Sequence, residues 1–276
     1  MMVNPEAKVV LITGGRTGIG RACAEALCEA GHRVYGTSRD PSKVNTRDLG
    51  YALLRMNVDD DASVDATVTT ILEEAGRLDV VVNNSAFGYG GAVEDTSIEE
   101  AKALFETNFF GVLRVCRTVL PTMRAQRRGL IVNISSIGGL MGLPYQGLYA
   151  ASKFAVEGLT ESLRMEVKPY GIDVVLVEPG DICTPFTANR RHTEASQTES
   201  AYREQYIKTL AKIERDEQGG ASPEVVGRAL LRIVESRRPR PRYVVGPFYE
   251  KVAVWAKRLL PGRWFERILM WNYGIE

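Results

Sequence analysis

The sequence predicts an α/β fold: one doubly wound parallel sheet with helices on both faces. Two observations carry the prediction. Short β-branched runs recur along the chain with helical segments between them, and the first run opens into a glycine-rich turn. Strands covered on both faces are apolar throughout rather than alternating, which is how a parallel sheet reads. Val9-Val10-Leu11-Ile12 is such a run. A helix is predicted over 21–30, stopped by Gly31, and further strands over 33–37, 52–56, 80–82, 130–134, 173–177 and 242–245. Between the third and fourth strands Val64, Val68, Ile71 and Leu72 repeat at i, i+4, i+7 and i+8, the apolar stripe of one helix. Seven strands wound without a linker predict a single domain spanning 1–276.

Two segments depart from this rhythm. Residues 185–221 are polar and end in Gly219-Gly220, with Tyr202, Tyr206, Leu210 and Ile213 spaced for one helical face. They read as a helical insertion, either a lid over a site or a passive packing element on its rim. Residues 237–276 hold nine basic residues against Glu250, Glu266 and Glu276, a net +6. The whole chain has 35 basic and 34 acidic residues, so the remainder is net −5 and the overall +1 is an average of two unlike parts. All three tryptophans, Trp255, Trp264 and Trp271, lie in this tail. Phe248, Val252, Trp255 and Leu259 share one helical face, and Trp264, Ile268 and Trp271 another beyond Pro261-Gly262. A basic amphipathic tail at 247–276 suits peripheral contact with an anionic membrane, or packing over a cleft or a neighbouring subunit.

Composition excludes several classes. Outside the tail there is no basic field and no recognition motif, so nucleic acid is not an expected partner. No run of about 18 apolar residues occurs that would span a bilayer. Four cysteines without a CxxC pair and two histidines argue against a zinc cage or disulfide scaffold; no metal is expected, and a cytoplasmic location is.

The chemistry begins at the first turn. Gly14, Arg16, Thr17, Gly18, Ile19 and Gly20 stand between strand and helix, where a dinucleotide pyrophosphate binds in a doubly wound fold. The second strand ends Thr37-Ser38-Arg39, with no acid until Asp40 to receive a ribose 2′-hydroxyl. Two guanidinium groups, Arg16 and Arg39, favour a 2′-phosphate, so NADP(H) is expected in preference to NAD(H). Asn57-Val58, after the third strand, occupies the place of an adenine ring.

Tyr149 and Lys153 stand four residues apart on one helical face. A phenol has an ordinary pKa of about 10, and lowering it by about three units takes roughly 4 kcal/mol. An ammonium about 4 Å away supplies that at an effective dielectric near 20. Thirteen residues earlier, Ile131-Val132-Asn133-Ile134-Ser135-Ser136 closes a strand. With these motifs in this order, residues 8–246 resemble the short-chain dehydrogenase/reductase family, and 136–163 in particular its hydroxysteroid and retinol dehydrogenase branch. The resemblance implies a Rossmann-type fold in which Ser136 binds the substrate oxygen, Tyr149 exchanges the proton, and Lys153 tunes Tyr149 and binds the nicotinamide ribose. It further implies that Asn108 supports a relay water. The stretch Pro179-Gly180 with Ile182 and Thr184 would then hold the nicotinamide carboxamide, and Asn84-Ser85-Ala86 would line the cofactor. Ala86 departs from the family's glycine, Asn57 from its commoner Asp, and Arg16 lies two places before Gly18, a little unlike many NADP-using members.

The expected activity is hydride transfer between NADP(H) and a ketone or aldehyde and its alcohol. Leu140 to Tyr145, Phe87, Tyr89 and Phe186 either surround a lipophilic substrate, steroid-, retinoid- or acyl-like, or form core and helix contacts, and a small aromatic carbonyl stays open as substrate. The rival is an NADP(H)-binding sensor or interaction protein with little turnover. A serine hydrolase is excluded, since there is no G-x-S-x-G elbow and neither His32 nor His192 lies near Ser136 in sequence. The family resemblance implies a homodimer or homotetramer through the helices bearing Asn108 and Tyr149.

Overall fold

A computed structural model describes residues 7–275, the side chain of Arg47 excepted. Seven strands form one parallel sheet: β1 (Val9–Ile12), β2 (Arg33–Ser38), β3 (Ala52–Arg55), β4 (Val80–Asn83), β6 (Gly129–Ile134), β7 (Ile172–Pro179) and β9 (Arg242–Val245). Their order is β3-β2-β1-β4-β6-β7-β9, so the winding reverses between β1 and β4. At such a switch point the chain departs in opposite directions beyond the strand ends and leaves a crevice there. All seven predicted strands are present, with ends shifted by a residue or two.

Period-two alternation divides the core. In β1, Val9 and Leu11 face α2 (Asp61–Ala75), α4 (Gly111–Gln126) and α5 (Gly147–Val167), where Val64, Ile71, Val115, Met123 and Val156 pack. Val10 and Ile12 face α1 (Gly18–Glu29) and α8 (Glu224–Glu235), meeting Ala24, Leu27, Val226 and Leu230. Two polar residues extend the strands inside this core. Asn83 Nδ2 donates to Asn133 Oδ1 at 2.8 Å, and Asn133 Nδ2 to Thr160 Oγ1 at 2.8 Å, tying β4 and β6 to α5. The Nδ2 of each buried amide finds a partner, while Asn83 Oδ1 has none among the described residues.

One feature escapes the sequence pattern. β5 (Tyr89–Gly90) pairs in parallel with β8 (Arg191–His192), which pins the insertion to the loop after β4. Two residues carry no periodicity from which to predict a strand. The insertion continues into α6 (Glu194–Gln197) and α7 (Arg203–Gln218). Tyr206 and Ile213 of its predicted face are buried, but Tyr202 turns outward and donates to Glu94. The tail forms α9 (Phe248–Leu259) and α10 (Gly262–Asn272), joined at Leu260-Pro261. Its inner face is Val254 and Phe265, packed on Met141.

Candidate active site

The sheet's C-terminal edge opens into a cleft of about 1120 Å³ that runs from the glycine-rich turn to the tail. At one end stands the N-terminus of α1. It has no side-chain cap and no acid in its first turn, so its free N–H groups and positive dipole end face the cleft. Gly20 is required by close approach, since a Cβ there would strike the Gly14 carbonyl. Asn84 holds this turn: its Nδ2 donates to the carbonyls of Thr13 at 2.9 Å and Gly14 at 3.2 Å. The N–H groups of Asn84 and Ser85 both donate to Thr13 Oγ1 at 2.9 Å. Gly14, Arg16, Thr17, Gly18, Ile19, Asn84, Ser85 and Ala86 all line the cleft, whereas Gly20 supports it from behind.

Ser38, Arg39, Asn57 and Val58 line the same end. Arg16 and Arg39 have no ion-pair partner among the described residues. Asp40, the acid nearest the ribose position, is occupied as a cap: its Oδ1 accepts from Ser42 N at 3.2 Å and Ser42 Oγ at 2.5 Å, and these bonds hold its carboxyl below the ordinary range. Lys43, 3.7 Å from Asp40 Oδ2, is a third cation on the cleft that the sequence reading missed. It lies beyond the strand end, in a turn without a motif. An uncapped helix start and three cations fit a phosphate-bearing dinucleotide.

Ser136, Tyr149 and Lys153 meet midway along the cleft, brought there by the end of β6 and the first turns of α5. Ser136 Oγ accepts from Gly138 N at 3.0 Å, which fixes the turn that presents it. One part of the electrostatic reading is corrected. Lys153 Nζ lies 5.9 Å from the Tyr149 ring centre and donates to the Ile134 carbonyl at 2.9 Å. Burial therefore dominates and pushes the Tyr149 phenol up to about 12, opposed chiefly by its hydrogen bond with Ser136. Burial likewise pulls the Lys153 ammonium down to about 8, opposed by Glu157.

Asn108 is not on the cleft wall. It sits in the wide helical turn Glu106–Phe110 between α3 (Ile98–Phe105) and α4, fully buried. Its Oδ1 accepts from Phe87 N at 3.0 Å, and its Nδ2 donates to Phe87 O at 3.0 Å and Ser152 Oγ at 3.2 Å. With both ends of the amide engaged, its side chain braces the loop carrying Phe87 against α5.

Pro179, Gly180, Ile182 and Thr184 line the next stretch of wall. Insertion and tail together roof the far end. Phe186 packs 5.6 Å from the Tyr149 ring, and α7 reaches the chain end through Gln205 Nε2, which donates to Gly274 O at 2.8 Å. Ala253, Ala256, Phe265, Leu269 and Tyr273 of the tail line the cleft, so the tail packs over it. Its other face remains open, with Trp255, Trp264 and Trp271 exposed at 66%, 64% and 83%. The roof also carries Asp181, Asp216, Glu217 and Glu250, unmarked by any motif in the sequence.

A dinucleotide-sized channel leading to a serine, a tyrosine and a lysine defines an oxidoreductase that works on a nicotinamide nucleotide. The short chain dehydrogenase family model matches residues 8–195, and the chain belongs to that family. A 3-ketodihydrosphingosine reductase from Bacteroides thetaiotaomicron is 44% identical over 272 residues, covering 98% of this chain and 100% of that one. Retinol dehydrogenase 8 from Bos taurus is 35% identical over 252 residues, covering 84% of this chain and 79% of its own length, which agrees with the branch read from the sequence. A short-chain dehydrogenase from Streptomyces avermitilis has a TM-score of 0.80 at 33% identity, over 92% of each chain. Solved relatives carry either nucleotide. One from Burkholderia phymatum, 26% identical with a TM-score of 0.75 over 86% of this chain and 88% of its own, holds NAD. ElxO, 27% identical with a TM-score of 0.70 over 86% and 96%, holds NADP.

Proposed function

We propose that this oxidoreductase is an NADP(H)-dependent carbonyl reductase for a long-chain lipophilic ketone of the 3-ketodihydrosphingosine kind. One observation carries the reading: a single cleft joins a cation-lined nucleotide end to Ser136 and Tyr149, and then to a roofed chamber in which Leu143, Phe186, Phe265 and Leu269 offer apolar surface. The similarity to the Bacteroides reductase supports the substrate class. Arg16, Arg39 and Lys43 support the 2′-phosphate. The bound nucleotide supplies hydride chemistry at the carbonyl carbon. Ser136 Oγ and the Tyr149 hydroxyl donate hydrogen bonds to the carbonyl oxygen, and Tyr149 gives its proton to the oxygen as the alcohol forms. Lys153 holds its charge behind the phenol and, through the nucleotide ribose, orients the cofactor. Asn108 acts at one remove, through Phe87.

The same reading places the enzyme at the cytoplasmic face of a membrane, touching anionic lipid through the open side of α9 and α10. It assembles as a homodimer or homotetramer through α5 and the helical stretch bearing Asn108, where Phe154 and Met165 on α5 and Phe110 in the Glu106–Phe110 turn are exposed. The test is consumption of NADPH and NADH with a long-chain 3-keto substrate. The expected result is higher kcat/KM with NADPH, and a preference reduced about tenfold or more by Arg39→Asp, since a charged hydrogen bond is lost and a repulsion added. A wild type that prefers NADH removes the cofactor assignment, and binding of NADPH with no ketone turned over returns the protein to the sensor class.

A further inference from the structure

Arg242 of β9 meets more acid than one cation balances. Its guanidinium pairs with Glu157 of α5 at 2.7 Å, with Glu178 of β7 at 2.5 Å and with Glu161 of α5 at 2.6 Å. Glu161 is exposed, but Glu157 and Glu178 are buried, at 5% and 0% exposure. Joining helix to sheet takes one buried acid for one arginine. A second buried carboxylate costs stability unless another cation offsets it. Lys153 is such a cation. It is 4% exposed and stands one helical turn before Glu157 on the same face of α5. Both side chains lie against the end of β6. Lys153 Nζ donates to the Ile134 carbonyl at 2.9 Å, and a Cβ at Gly139 would come 3.1 Å from Glu157 Cγ, 3.3 Å from the Lys153 carbonyl carbon and 2.7 Å from Ser135 Oγ.

We propose that Glu157, with Arg242 and Glu178 behind it, is the counter-charge of Lys153: a positioning residue that keeps the buried ammonium charged, so that Lys153 can hold the nicotinamide ribose and act on Tyr149. This role rests on the carbonyl-reductase reading, which gives Lys153 that work. With every group ionised, the buried acids Glu157 and Glu178 and the cations Arg242 and Lys153 sum to zero. Without Lys153 the cluster keeps one uncompensated negative charge. No direct ion pair is needed, because a charge one helical turn away acts strongly where water is excluded.

The other groups around the cluster leave this balance in place. Burial raises the Glu157 carboxyl, while Ser135 and Arg242 hold it down and Glu161 adds to the rise. Burial and the neighbouring Glu157 push Glu178 up to about 7. With Arg242 between them, both acids carry charge at about pH 8, where Lys153 titrates. Tyr149, on the same helix, is uncharged there, since burial has pushed it up to about 12. Arg164 of α5 and Arg258 of α9 act on the acids, and Arg258 is exposed and so screened. Loss of the Glu157 charge therefore disfavours the ammonium, and Lys153 gives up its proton at a lower pH.

The test is the pH profile of kcat/KM for reduction of a long-chain 3-ketone by NADPH, with thermal unfolding measured alongside. In Glu157→Gln the fall at high pH should move down by about one to two pH units, the effect of a unit charge one helical turn away at an effective dielectric near 20. Glu157→Asp keeps the charge, so its fall should stay within about half a pH unit of wild type. Glu178→Gln, one step further off, should move the fall the same way by less, and it reads the balance even where Glu157→Gln is too unstable to assay. Adding Glu157→Gln to Lys153→Arg should leave the profile of the arginine variant where it was, because arginine cannot lose its charge. A purely structural role lowers the unfolding temperature and the overall rate without moving the pH of the fall. An unmoved fall in either glutamine variant, or an equal downward move in Glu157→Asp, overturns the counter-charge and leaves the reductase reading standing. A wild-type fall that persists in Lys153→Arg removes the role of Lys153, and the counter-charge with it. Turnover of no ketone by wild type overturns the reductase reading itself.

Discussion

Tyr149 lies between two influences of opposite sign, and burial is the larger. A protonated phenol can serve as the general acid of ketone reduction. Tyr149→Phe removes the hydroxyl assigned to deliver the proton, so kcat should fall by about 10²–10⁴-fold while NADPH still binds. Steady-state rates and NADPH fluorescence check the two halves of that statement. The pH profile should be set by Lys153 instead. Its ammonium, brought down to about 8 by burial, is charged below that pH and neutral above it. For the free enzyme kcat/KM of ketone reduction should therefore be level up to about pH 8 and fall above it. In Lys153→Arg the charge persists, so residual activity should lose that fall. A fall that survives in the arginine variant assigns the titration to another group.

At the scale of elements, the catalytic helix α5 is clamped to the sheet by one side chain of β9. Arg242 pairs with Glu157 at 2.7 Å, with Glu178 at 2.5 Å and with Glu161 at 2.6 Å. Glu157 and Glu178 are buried, and burial pushes Glu178 up to about 7. Arg242→Met leaves two buried carboxylates without their cation, a loss of about 3–5 kcal/mol. Thermal unfolding should then shift down by roughly 6–20 °C. A shift within about 2 °C would mean that both acids are already neutral in the folded protein. Nothing in the sequence announced this clamp, because Arg242, Glu157 and Glu178 are far apart in the chain and meet only through β7–β9 pairing. What was legible follows from local rules. The buried central strands β1, β4, β6 and β7 read as apolar runs, and Gly14 to Gly20 sits where strand meets helix. Tyr149, Lys153 and Ser136 lie in two adjoining segments. Lys43 was not legible, because it lies in a turn without a pattern. Asn108 was legible as a site residue through the resemblance, while its bonds to Phe87 and Ser152 came only from the fold.

At the scale of the whole molecule, the uneven charge of the chain has a spatial counterpart. The tail's inner face closes the cleft, while Phe248, Val252, Trp255, Leu259, Trp264 and Trp271 stand exposed on its outer side. Lys251, Arg258, Arg263 and Arg267 are exposed on the same two helices without ion-pair partners among the described residues. Two such surfaces facing each other across a twofold axis would oppose like charges, so a second copy is a poor occupant. An anionic bilayer satisfies both properties, with tryptophan at the headgroup level and about 1 kcal/mol from each cation near the surface. Val252, Ile268 and Trp271 also line the cleft, so its mouth opens beside this face. A lipophilic ketone dissolved in the bilayer would then enter without crossing water. No helix among the described residues is long and apolar enough to cross a membrane. In sedimentation with vesicles, the protein should pellet with phosphatidylglycerol-containing bilayers and stay in solution with phosphatidylcholine alone. Joint replacement of Arg258 and Arg263 by Glu should weaken pelleting at least about tenfold, and salt should do the same. Trp264→Ser should weaken it at any salt concentration, since its contribution is burial rather than charge. Equal pelleting on neutral and anionic vesicles, or by wild type and the double variant, would refute electrostatic docking. No pelleting at all would leave the tail as a roof for the cleft alone.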